Sequence, residues 1–286
     1  MRILIAAWLW KFVVFFKPFH LGISLRFRQL VNAVIWKMKK SSSDEPVVFV
    51  QVAAYNAEET INDCLESLLA QTYRHWIAVI VDDGSVDGTS NLCQFFCERD
   101  SRFVLLKHLK NGGLNHARNT AIAHAREHLG WDVMAVLDSD DVANPNWLEA
   151  GVRGINLGAL GVRCLNGRYN WDLSQHRYNY MSCAQTFFLR SVLDALGGYR
   201  LAPFTEDHDM MERLEKLTSL SGGFLLTTPS QVQKMRFHDR NLSVTEIKKP
   251  ERIKARMECE EIARFARNGD DLKVECHAFP YQVVIS

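Results

Sequence analysis

Three carboxylates stand within four positions at Asp138-Ser139-Asp140-Asp141, directly after the apolar run Met134 to Leu137. A short run of apolar, β-forming residues reads as a buried strand, so the carboxylates are delivered together at a strand end. Like charges held that closely repel unless something cationic sits among them. At the C-terminal end of a central strand in an open α/β sheet, a divalent metal with a phosphorylated ligand meets that need, because hard cations take oxygen ligands and bridge phosphates. The competing reading is a polar turn, with Asp141 capping a following helix. Two other acidic clusters carry the same ambiguity. Asp82-Asp83-Gly84-Ser85 follows the apolar run Trp76 to Val81 and can satisfy turn geometry unaided. Thr205-Glu206-Asp207 precedes a helical pattern from Met210 to Lys216, where a carboxylate in the first turn can serve as a cap.

The elements that position these clusters follow from the apolar pattern. Strands are predicted over Val47 to Ala54, Trp76 to Val81, Phe103 to Lys107 and the run that ends at Asp138. Helices are predicted between them, from about Glu58 to Ala70, where Leu65, Leu68 and Leu69 recur at helical spacing, from Ser90 to Arg99, and from Leu114 to His128. Strands alternating with helices in short units imply a doubly wound α/β fold, a Rossmann-like, mostly parallel sheet with helices on both faces and right-handed crossovers. Polar residues gather just after each strand, at Tyr55-Asn56, Asp82-Asp83, Asn111-Gly112-Gly113 and Asp138-Ser139-Asp140, the edge at which such sheets bind ligands.

In that order and spacing, with Ala117-Arg118-Asn119 opening the third helix, these motifs resemble the nucleotide-diphosphosugar glycosyltransferases of the GT-A fold, specifically the inverting family 2. The resemblance runs from about Val47 to Ser243 and implies a role for each matching residue. Tyr55 and Asn56, preceded by Ala54 where the family often has Thr, would meet the nucleoside. Asp82 would accept a hydrogen bond from the uracil ring, and Arg118 would lie near the base and diphosphate. Gly113 and Ser139 would line the same pocket. Asp138 would contact the ribose or the metal, and Asp140 would ligate the Mn²⁺ or Mg²⁺ of a DxD motif. Asp207 matches the general base of the family's Glu-Asp motif, with Glu206 orienting the acceptor or a loop. Arg236 and His238, in Arg236-Phe237-His238-Asp239-Arg240-Asn241-Leu242-Ser243, resemble a closing loop. Arg236 would add charge to the diphosphate pocket and His238 would supply a further metal ligand. The implied activity is transfer of a hexosyl or N-acetylhexosaminyl group from a UDP-sugar to a hydroxyl of a surface polysaccharide or lipid-linked glycan.

The remaining chain bounds this reading. With 286 residues and a formal charge of +1, the protein lacks the basic excess of a dedicated nucleic-acid binder. Its seven cysteines have no paired metal-ligand spacing, which fits a reducing compartment. Residues 1–43 contain no acid and interleave eight Lys and Arg with Trp and Phe, the composition of a membrane-surface arm. Lys11, Lys17 and Pro18 interrupt any spanning helix there. The expected organisation is therefore an arm over 1–43, a transferase domain over 46–245 and a C-terminal extension over 246–286, on the cytoplasmic side of a membrane as a peripheral or monotopic protein. Within the extension, Arg252 to Arg267 reads as a charged amphipathic helix, and Tyr281 to Ile285 reads either as an added strand or as a segment packed on the domain. Gly151 to Met181 matches no motif, and its Trp171, Tyr169, Tyr178 and Tyr180 suit either an acceptor face or an ordinary packed loop. A nucleotidyltransferase is disfavoured because no Gly-rich phosphate loop follows the first strand. A catalytically silent sugar-nucleotide-binding subunit is disfavoured by the presence of Asp138, Asp140 and Asp207 together.

Overall fold

The computed structural model describes residues 45–201, 206–237, 250–267, 270–276 and 280–284. The arm over 1–43 and His238 lie outside these residues. Strand β1 (Val48–Ala54) runs through the core between two apolar layers. Val48, Val50 and Val52 face one apolar layer, while Phe49 faces the other. A strand covered on both faces has no wet side, which is why its sequence is a continuous apolar run rather than an alternation. Gln51 is the exception, buried in mid-strand with its amide donating to the Arg118 carbonyl at 2.6 Å.

Helices α1 (Ile61–Leu69) and α2 (Thr89–Arg99) cover the first layer. Ile61, Cys64, Leu65 and Leu68 recur at helical spacing on α1 and are fully buried, each large apolar side chain contributing about 1.5–3 kcal/mol. Cys93 and Cys97, one turn apart on α2, are core residues. Helix α3 (Leu114–His128) covers the second layer with Ala117, Ala121, Ile122 and Ala125.

Strands β1, β2 (Trp76–Asp82), β3 (Phe103–His108) and β4 (Val133–Val136) are parallel, β1 lying between β2 and β4. This half of the sheet matches the expected doubly wound pattern. The other half is mixed. After Asp141 the chain forms the two-residue strand β5 (Val142–Ala143), then α4 (Trp147–Asn156), β6 (Gly161–Tyr169) and β7 (His176–Leu189). Strand β7 runs antiparallel to β4 and β6, and β8 (Leu225–Arg236) runs parallel to β6 and antiparallel to β5. The stretch without a motif is thus a helix and the start of a long hairpin that adds two strands to the sheet.

Helix α5 (Arg190–Leu196) ends at Gly197, whose φ is +82°. A Cβ there would fall 1.7 Å from the Val274 carbonyl oxygen, so only glycine lets the segment around Val274 bridge to this turn. Helix α6 (Glu206–Ser221) follows, and α7 (Pro250–Phe265) packs on it. Strand β9 (Tyr281–Val284) adds antiparallel to β3 and completes a sheet ordered β5-β8-β6-β7-β4-β1-β2-β3-β9. Helices α5 and α6 join α3 on the second layer.

Candidate active site

Parallel pairing sets the strand ends level. Ala54 pairs with Asp82, and Gln51 with Val136, so the loops after β1, β2 and β4 open on one edge of the sheet. Asp138 lies two residues beyond β4, in a tight turn closed by the Asp141 N–H donating to the Asp138 carbonyl at 3.0 Å. Its side chain is held from two sides. The Arg118 Nη2 donates to Oδ1 at 3.1 Å, and the Gln185 Nε2, from β7, donates to Oδ2 at 2.6 Å.

Asp141 does not cap a helix. The following helix starts at Trp147 behind Asn146, and the Asp141 carboxylate is buried, accepting the Arg236 N–H at 3.1 Å. Pairing of β5 with β8 draws the chain inward at this point, which a reading of local sequence could not anticipate. Burial pushes the Asp141 carboxyl well above the usual carboxylate range, and the charges of Asp140 and Asp138 push it further.

Arg118 sits in the second turn of α3 with almost no exposure. Besides Asp138, its guanidinium donates through Nη1 to Asp207 Oδ1 at the start of α6. Its charge also lies 5.2 Å from the centre of the Tyr199 ring. The approach to α6 is fixed by neighbours of Arg118 on the same helix. Asn119 makes a reciprocal pair with the Tyr199 backbone at 2.7 and 2.9 Å, and Asn115 donates to the Arg200 carbonyl. Asp209 is buried against Arg213 at 2.8 Å and bonded to Arg200 at 3.1 Å, so it locks the base of α6 rather than facing the site. Glu206 is the first residue of that helix.

The two aspartates after β2 have separate jobs. Asp82 Oδ1 accepts the Ser85 N–H at 3.0 Å and shapes the turn. Asp83 turns away, accepting the N–H groups of Gly112 and Gly113 at 2.9 and 2.8 Å and lying 2.5 Å from His108 Nδ1. The β1 loop is knitted to the same turn, for Asn56 takes the Val86 N–H on its side-chain oxygen at 3.0 Å and gives its own N–H to Ser85 Oγ at 2.9 Å. Tyr55 is half exposed beside it, and Ala54 is buried, its carbonyl accepting the Asp83 N–H. Gly113, at φ +94°, lets the glycine pair turn into α3.

Arg236 reaches the same edge from β8, but its guanidinium is engaged by protein acceptors. It donates to the Trp171 carbonyl at 2.9 Å, the Asp140 carbonyl at 2.7 Å and Asp63 Oδ2 at 2.5 Å. It therefore ties the Asp140 turn to α1 and to the tip of the β6–β7 hairpin. Trp171 and Tyr178 on that hairpin are exposed, with the Arg168 guanidinium 4.8 Å from the Tyr180 ring centre.

The residues present suit a divalent cation. Asp138 and Asp140 share one turn with the buried Asp141, and the Cys64 thiol behind them is pushed well up by burial and by all three carboxylates. Burial is the first cause of both shifts and the neighbouring carboxylate charges add to it, and such a gathering of carboxylates is where a hard cation finds oxygen ligands. Sequence reasoning missed Gln185 and Gln51. Each is a lone amide inside an apolar strand, and that is the signal: a buried amide requires a partner.

The architecture is an α/β sheet whose carboxylates gather at the ends of β2 and β4. The chain belongs to glycosyl transferase family 2, whose family model matches residues 49–224. Among curated relatives it is 39% identical over 106 residues to the UDP-Glc:alpha-D-GlcNAc-diphosphoundecaprenol beta-1,3-glucosyltransferase WfgD of Escherichia coli, covering 37% of this chain and 40% of that one. Its matches span about half the length of such relatives or less. Among solved structures it resembles S. aureus TarS in complex with UDP-GlcNAc, with a TM-score of 0.57 and 17% identity, over 67% of this chain and 59% of that chain. It also resembles the mannosyltransferase PcManGT of Pyrobaculum calidifontis in complex with GDP-Man and Mn²⁺, with a TM-score of 0.55 and 18% identity, over 85% and 81% of the two chains. The structural likenesses establish the GT-A type of α/β fold.

Proposed function

We propose that the protein is an inverting glycosyltransferase that moves a sugar from a nucleotide-diphosphosugar, a UDP-sugar, to a hydroxyl of a polysaccharide or lipid-linked glycan. One observation carries this reading: a single buried guanidinium, that of Arg118, contacts both Asp138 of the strand-end cluster and Asp207 of the distant α6. Donor-side and acceptor-side carboxylates thereby fall within one side chain of each other, as direct displacement at a sugar carbon requires.

In this reading Asp140 and Asp138 would hold Mn²⁺ or Mg²⁺, and such an ion supplies charge stabilisation to a diphosphate leaving group. Asp82 receives the uracil, with Tyr55 and Asn56 beside the nucleoside and Gly113 and Ser139 lining the pocket. Asp207 accepts the proton of the acceptor hydroxyl as its oxygen bonds to the anomeric carbon. The bond from that carbon to the diphosphate oxygen breaks on the opposite side, so the configuration inverts. A positioned base contributes about 10²–10⁴-fold to such a step. Arg118 keeps Asp207 aimed, and Arg236 keeps the Asp140 turn in place. Glu206 orients the acceptor or its loop, and His238 is retained as a further metal ligand.

The UDP donor is supported by the names of WfgD and of the TarS complex, and the metal by the Mn²⁺ in the PcManGT complex. A lipid-linked acceptor is supported by the substrate in WfgD's name and by the basic, aromatic composition of residues 1–43, proposed to lie on the cytoplasmic membrane surface. No helix among the described residues is long and apolar enough to cross a membrane. The test is a screen of UDP-, GDP- and dTDP-sugars with Mn²⁺ and Mg²⁺ that follows released nucleoside diphosphate. Turnover of UDP-sugars is expected, and turnover of only GDP- or dTDP-sugars overturns the role of Asp82.

A further inference from the structure

One cluster of ligating side chains lies outside the sugar-nucleotide site. His208 and Glu212 stand one turn apart on α6, and Glu260 reaches them from α7. The His208 Nε2 is 3.0 Å from Glu260 Oε1 and 3.7 Å from Glu212 Oε1. All three ligand atoms lie within 4.8 Å of one another.

We propose that these residues form a zinc site that clamps α7 onto the helix carrying Asp207. Zinc takes imidazole and carboxylate ligands at bond lengths near 2.0–2.1 Å in a tetrahedron, which places neighbouring ligand atoms about 3.3–3.5 Å apart. The two His208 separations bracket that spacing, so small side-chain adjustments admit the ion. A divalent ion would bond to all three groups at once, where one imidazole N–H does not. The side chains are 20%, 32% and 46% exposed for His208, Glu212 and Glu260, so water can fill the fourth position. Three protein ligands leave a fourth tetrahedral position for water, as in open zinc sites.

The consequence is mechanical. The helices α6 and α7 already touch, with Lys216 Nζ donating to the Arg264 carbonyl at 3.2 Å further along. An ion at His208 would add a second tie, one turn earlier on α7 and two turns earlier on α6, at the residue after Asp207. The inference is independent of the identity of the sugar donor.

The test is calorimetric titration of the full, metal-stripped chain with Zn²⁺ alone, for the wild type, His208→Ala, Glu260→Gln and Asp140→Ala. Asp140→Ala, which lacks the Asp138–Asp140 cation site, is expected to bind one ion at the helix clamp and to gain thermal midpoint on binding, and the wild type to bind that ion with the same affinity. Loss of a direct ligand in His208→Ala or Glu260→Gln is expected to weaken binding by more than the roughly 10–100-fold that loss of a ligand's supporting partner costs and to abolish the midpoint gain. Co²⁺ in place of Zn²⁺ should give a spectrum of nitrogen and oxygen ligation. A thiolate charge-transfer band, unchanged Zn²⁺ affinity in both ligand variants, or no binding by the wild type would each overturn the proposal.

Discussion

Arg118 of α3 donates to Asp207 of α6 across 89 positions of sequence, while its other terminal nitrogen lies 3.1 Å from Asp138. A planar guanidinium spans two carboxylates in fixed directions, and an ammonium does not. Arg118→Lys should therefore keep the charge and lose the geometry. We predict that it folds, as judged by circular dichroism, while nucleoside diphosphate release falls about 10²-fold, the scale of a small misplacement of catalytic groups. Unchanged release would remove Arg118 from the positioning of Asp207.

Gln185 gives a separate handle on the donor side. Its amide donates to Asp138 Oδ2 at 2.6 Å from within β7. Gln185→Leu deletes that donor at similar volume. Partners that orient a metal-binding group are typically worth 10–100-fold in metal affinity or activity, so the Mn²⁺ concentration for half-maximal turnover should rise by about tenfold with kcat less affected. A fall in kcat alone, at an unchanged Mn²⁺ requirement, would sever Gln185 from the metal site.

The Asp83 network should matter for stability before it matters for catalysis. Asp83 accepts two backbone N–H groups and contacts His108, all in a buried setting. Removing a buried acceptor costs about 1–3 kcal/mol through its unsatisfied partners, so Asp83→Ala should lower the denaturant midpoint accordingly. Gly113→Ala should lower it too. A Cβ at Gly113 meets no atom within 4 Å, so the cost there is the backbone strain of φ +94°, about 1–3 kcal/mol. Loss in Asp83→Ala but none in Gly113→Ala would show that the loop can adopt another path.

Much of this arrangement was legible in the sequence, for a physical reason. Strands β1 to β4 are covered on both faces or paired with such strands, so each is an apolar run ended by polar residues, and parallel pairing then brings those ends together. Leu114–His128 was readable to the residue because its alanines recur at helical spacing. The end of β7, from Gln185, reads as a strand in the sequence, but its pairing with β6 and the whole of β8 were hidden because their order in the sheet depends on distant pairing. Asp141 was misread for the same cause, since β8 rather than a helix takes up its neighbourhood. Asp82 and Asp83 are adjacent and alike in sequence, and only folding sends one to the turn and the other to the glycine loop. Arg118 was readable as a basic residue of the site, but its bridge to Asp207 exists only in three dimensions.

The edge of the sheet should respond to pH. His124 on α3 packs against Tyr281 of β9, with ring centres 6.0 Å apart, and burial, with His128 adding, pushes its imidazole below the usual range. A histidine whose folded value is depressed is protonated more readily in the unfolded chain, so stability is full above the unfolded value near 6.5 and declines as pH falls through it. Unfolding midpoints measured from pH 8 to pH 5 should fall less steeply in His124→Gln than in the wild type. Equal slopes would exclude His124 as their source.

The most direct test of the central claim is release of UDP from UDP-sugars in the presence of Mn²⁺, compared among the wild type, Asp207→Asn and Asp140→Ala. The account predicts turnover by the wild type and its abolition in Asp140→Ala with the fold intact. In Asp207→Asn it predicts a fall of about 10²–10⁴-fold, the contribution of a general base, with UDP binding unchanged. Full activity in either variant would contradict it.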